Sequence, residues 1–137
     1  MGNVRRAVFV ATCGALLLAL CGCSESAYPI FDSPAEESDE LPAVFDDLEP
    51  DFVARYDSSS VRFAAEHEGA ELYLIKDDVG GICLAIASGN NSSIACGAVG
   101  RLGTSTSGAG EFEVDPAPIA ERDGWTILSE NICVKDD

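Results

Sequence analysis

Cysteine supplies most of the chemistry open to this chain. Its 137 residues hold six cysteines and a single histidine. Cys83 and Cys96 flank Gly89-Asn90, a favoured two-residue hairpin turn. With those two residues as the loop, Ser88 faces Asn91, Ala87 faces Ser92, Leu84 faces Ala95 and Cys83 faces Cys96. Pairs alternate outward from a hydrogen-bonded Ser88–Asn91. The cysteines then form a non-hydrogen-bonded pair, with Cα atoms about 4.5 Å apart. That spacing lies at the short end of disulfide reach. In an oxidising compartment the pair is expected to close into a disulfide. Cys133 is then a small buried hydrophobe in an apolar strand, unless it joins another chain.

The remaining candidates for chemistry are weak. His67 has no second histidine and no CxxC beside it, so a zinc site is not expected. Gly103-Thr104-Ser105-Thr106-Ser107 approaches a nucleophile elbow but lacks the second glycine. Neither Lys76 nor Lys135 stands three residues after a serine. Asp77-Asp78 sits in a Gly-rich turn without the ligand spacing of a calcium loop. Carboxylate pairs are common in so acidic a chain and signify little. We assign no catalytic, cofactor-binding or metal-ligating residue and expect no enzyme.

The amino terminus carries the clearest signal. Arg5 and Arg6 precede Ala7 to Leu20, an uncharged run rich in Leu, Val and Ala. That run has signal-peptide length and is short of the roughly 20 residues of a spanning helix. It ends in Leu20-Cys21-Gly22-Cys23. The tetrapeptide resembles the lipobox of bacterial lipoproteins, in which the last cysteine receives a diacylglyceryl group. Cys21 and Cys23 compete for the lipid. Cleavage before Cys23 leaves small Gly22 at the last signal position, whereas cleavage before Cys21 leaves bulky Leu20, so Cys23 is the expected lipidation site. Two acyl chains anchor stably where one binds marginally. The expected location is therefore the extracytoplasmic face of a cell membrane, with membrane lipid as the first partner. An uncleaved anchor and an ordinary secretory signal are the alternatives.

Removing residues 1–22 takes away Arg5 and Arg6. Six basic side chains then face all 24 acids, a net charge of −18. This charge argues against nucleic acid and against electrostatic docking of the whole molecule on anionic lipid. Residues 23–41, acidic and rich in Ser and Pro, read as a lipid-anchored disordered tether. Stretched out, its 18 residues after Cys23 would reach about 60 Å.

Residues 42–137 read as one small β-rich domain. We expect an antiparallel meander or partly open barrel of about six to seven strands, preceded by short helical turns. Phe45, Leu48, Phe52 and Tyr56 mark an approximate helical face, which Pro50 divides into two turns. From Val61 the period becomes two. A Glu68-Gly69 turn pairs Phe63 with Leu74 and Ala65 with Leu72 on one apolar face. Residues 81–88 and 91–98 are the most apolar strands. Residues 100–110 have the composition of a mobile loop. Glu111 to Asp115 alternates, with Phe112 and Val114 inward, and Trp125–Leu128 and Asn131–Lys135 close the chain as a hairpin.

Taken with the lipobox and acidic spacer, Glu66-His67-Glu68-Gly69, Leu72-Tyr73-Leu74, Gly81-Ile82-Cys83-Leu84, Ala95-Cys96-Gly97, Gly124-Trp125 and Leu128-Ser129-Glu130-Asn131 carry a wider likeness. The chain resembles small uncharacterised exported lipoproteins of actinobacteria. The resemblance implies an anchored β-rich domain and supplies no activity. Two function classes follow. One is a non-enzymatic module that binds an envelope protein or polymer. The other is a small cell-envelope enzyme with an acidic site. The scarcity of His and Lys favours the first.

Overall fold

The computed structural model describes residues 27–97, 101–106 and 109–137. The expected signal segment, residues 1–22, and the expected lipidation site Cys23 lie outside them. The fold is mainly β and antiparallel. Strands β1 (Arg62–His67), β2 (Ala70–Lys76), β3 (Ile82–Ser88) and β4 (Asn91–Gly97) form a meander sheet. Strands β5 (Leu102–Thr106), β6 (Gly110–Val114), β7 (Trp125–Ser129) and β8 (Ile132–Lys135) form a second sheet in the order β5-β6-β8-β7. The two sheets do not close into a continuous barrel.

The strand beyond the expected number is β5. It occupies the segment whose Gly, Ser and Thr content reads as a loop. Its strand character comes from a partner: Leu102 pairs with Val114 and Thr104 with Phe112 along the edge of β6. Tertiary pairing overrides a weak local preference here.

Alternation sorts the core into two clusters. Leu72, Leu74, Leu84 and Ile86 of the first sheet meet Phe112, Val114, Ile132 and Val134 of the second. Their neighbours Tyr73, Ile75, Cys83, Ala85 and Ala87 point the other way, towards Phe45 and Val61. The first sheet is thus buried on both faces. The segment before it covers the outer one.

That covering segment forms as expected around Pro50. A 3-10 turn spans Ala43–Phe45, and helix α1 spans Pro50–Val53 with Pro50 in its first turn. Phe45 is buried, and Leu48 and Tyr56 pack on the same cluster.

The tether expectation is corrected for the residues described. Tyr28, Ile30 and Phe31 pack against the inter-sheet core. Asp39 accepts a hydrogen bond from Phe63 N at 2.7 Å and stands 3.8 Å from Arg62 Nε. Asn131, nearly fully buried, donates from Nδ2 to the carbonyls of Ala27 (3.2 Å) and Asp115 (2.8 Å). The aromatic pair and Ile30 offset the ordering cost that the Ser, Pro and acidic content sets. The packed body therefore includes residues from Ala27, upstream of the expected boundary at 42.

A second correction concerns β1. Ala65 pairs with Leu72 as expected, but a bulge between Phe63 and Ala65 pairs Phe63 with Tyr73 rather than Leu74. One extra residue moves Phe63 to the outer cluster. There its ring meets that of Tyr73 edge-on, with centroids 5.6 Å apart.

Tyr73 carries a pH signature. Burial, then the charge of Glu71 and a 3.2 Å hydrogen bond to its Oε2, push the phenol up to about 12. The unfolded chain would ionise near pH 10, so this stabilisation is complete below pH 10 and is lost as pH rises towards 12. Denaturant titrations should show a loss on the order of 2 kcal/mol across that interval, absent in Tyr73→Phe. An unchanged slope in the variant would count against the assignment.

Candidate functional site

A cleft of about 720 Å³ opens at one pole of the molecule. His67 and Glu68 reach it from the β1–β2 turn, Ser105 from the end of β5 and Glu111 from the start of β6. Lys135, Asp136 and Asp137 complete it from the end of β8. Local backbone chemistry fixes the rim. Glu68 and Gly69 take positive φ angles of 50° and 79°, which close the two-residue turn. Gly110 stands at φ 108°, where a side chain would be strained and a Cβ would lie 3.2 Å from Val134 Cγ2.

His67 is half-buried, its ring edge-on to Phe112 at 6.3 Å. Lys135 Nζ lies 3.3 Å from Glu111 Oε2, and both side chains are about half exposed. Such a pair adds little stability. The remaining rim charges are Glu68, Asp136 and Asp137. An open, polar, acid-rimmed cleft suits a cationic polymer or peptide segment better than a compact apolar ligand.

Ser105 is exposed within a strand rather than on a strand-to-helix turn, which removes the geometry of a nucleophile elbow. Asp77 spends its carboxylate on its own turn. Its Oδ1 accepts from Val79 N at 3.1 Å and from Gly81 N. A Cβ at Gly81 would run into that carboxylate and Gly97 O, so the turn requires glycine. Among the described residues, no three His, Cys, Asp or Glu side chains converge to hold a metal ion.

The Cys83–Cys96 disulfide is present, with Cα atoms 4.0 Å apart and the cysteines directly opposite in the register. Cys83 is fully buried in the outer cluster, while Cys96 is exposed on edge strand β4. Its neighbours in a small recess are Phe52, Arg55, Tyr56 and Asp77.

One cluster has no sequence signature. On the outer face of the second sheet, Arg122 stacks over Trp125 at 3.9 Å and bonds Glu113 Oε2 at 2.9 Å. Arg101 joins Glu113 (3.0 Å) to Asp115 (2.9 Å). Beneath them lies Cys133, fully buried, with Arg122 Nη2 3.4 Å from its sulfur. Burial raises the thiol pKa, partly offset by the guanidinium. A neutral, covered thiol is a poor nucleophile. Cys133 in the native protein should therefore react with a maleimide far more slowly than an exposed thiol, and at the ordinary rate in denaturant. Rapid native labelling would contradict this burial.

In comparisons with protein-family models, curated proteins and solved structures, nothing matches this chain.

Proposed function

We propose that this is a lipid-anchored extracytoplasmic protein that binds a positively charged envelope protein or polymer without chemical turnover. The order of Arg5-Arg6, the apolar run and Leu20-Cys21-Gly22-Cys23 carries the anchoring part of this reading. The acidic rim of the polar cleft supports the binding part. A protein with net charge −18 held at a membrane attracts cationic partners and repels nucleic acid.

Mass spectrometry of the mature protein tests the anchor. Its first residue should be a diacylglyceryl Cys23 followed by Ser24-Glu25. Cys23→Ala should leave the precursor unprocessed at this site, whereas Cys21→Ala should be processed normally. An unmodified terminus elsewhere would refute the anchor. For the cleft, Glu111→Lys with Asp136→Lys should abolish crosslinking to the partner captured from intact cells. Retained capture would place binding elsewhere, and turnover of the captured molecule would replace binding by catalysis.

A further inference from the structure

We infer that the lipid anchor holds the domain against the bilayer in one orientation, with the cleft directed away from it. This inference rests on lipidation at Cys23. Ala27 follows Cys23 by four residues, which span at most about 14 Å. Ala27 is fastened by Asn131 beside Asp115, at the junction of β6 and β8. The pole holding Ala27 therefore sits within reach of the headgroup layer, and free tumbling on a 60 Å leash is ruled out.

The same pole carries the β2–β3 turn. Lys76 Nζ lies 4.8 Å over the Phe31 ring, tying the incoming chain to the end of β2. Asp78 N donates to Arg55 O at 2.9 Å, bringing the C-terminal side of α1 alongside. Two exposed aliphatic side chains mark this surface: Val79, 75% exposed at the turn tip, and Val53, 42% exposed. Solvated isolated valines are ordinary on a protein surface. Their position beside the anchored terminus gives them a lipid surface to enter.

Arg55, Arg62, Lys76 and Arg101 lie towards this pole beside Asp39, Asp57, Asp77, Asp78 and Asp115, so the orientation rests on the short reach of the anchor and the exposed valines. The cleft lies at the opposite pole, one strand length from the anchor.

Lipidated protein in phosphatidylethanolamine–phosphatidylglycerol vesicles, with acyl chains brominated near the carbonyl, tests the orientation. In a Trp125→Phe background, the Val79→Trp protein should show blue-shifted, strongly quenched emission, and the Glu68→Trp protein neither change. Val53→Trp repeats the measurement should Val79→Trp fail to fold. Equal quenching at both poles, or none at either, overturns the orientation while leaving the anchor intact. A blue shift that persists in vesicle-free Cys23→Ala protein means a second copy covers the surface, and also overturns it. Absence of lipid on Cys23 by mass removes the anchor and the orientation together.

Discussion

Phe112→Ala is expected to lower stability by about 3–5 kcal/mol, the usual cost of removing a buried aromatic side chain. Phe112 is completely buried at the centre of β6, between Thr104 on β5 and Val134 on β8. It packs in the cluster that joins the two sheets. Domains of this size are stable by roughly 5–15 kcal/mol, so the loss is a large share of the whole. Urea denaturation should give a lower midpoint with an unchanged slope. The cleft should feel the change too, because His67 loses the ring it packs against. A loss below about 1 kcal/mol would mean that the sheets are not held together through this residue.

Opening the Cys83–Cys96 bond is the second large effect. The half-cystines are 13 residues apart, and a loop of that length is worth about 3 kcal/mol in the chain-entropy model. Reduction, or Cys83→Ala with Cys96→Ala, should cost about 2–4 kcal/mol. A non-reduced peptide map should join Cys83 to Cys96 and leave Cys133 as a thiol. A peptide linking Cys133 to either partner would contradict the separation of the two sheets.

What could be read from the residues follows from how local each cause is. The β3–β4 hairpin was legible pair by pair, since Gly89-Asn90 fixes the turn and the turn fixes the register. The inward facing of Phe112 and Val114 followed from strict alternation. Pro50 marked the opening of α1. The bulge before Ala65 had no such marker, because Phe63 is apolar and can serve either face. β5 was hidden because its partner, β6, supplies what its composition lacks. The packing of Tyr28, Ile30 and Phe31 was masked by the Ser, Pro and acidic residues around them, which dominate a reading by composition. The Arg101–Glu113–Arg122 cluster joins three separated segments that no spacing rule connects. The cleft likewise depends on the poles of two sheets coinciding, a tertiary fact.

The double burial of the first sheet has a consequence for assembly. In a strand with one wet face, a one-residue slip drives apolar side chains into water and corrects itself. Along β2 and β3, successive residues are apolar whichever way they point, so a slip there meets little hydrophobic resistance. Between β3 and β4, only one alignment sets Cys83 opposite Cys96; a slip by one residue carries the sulfurs to opposite faces. Oxidation therefore proofreads the hairpin: it seals chains that have paired correctly and leaves misaligned ones with free thiols, open to another attempt.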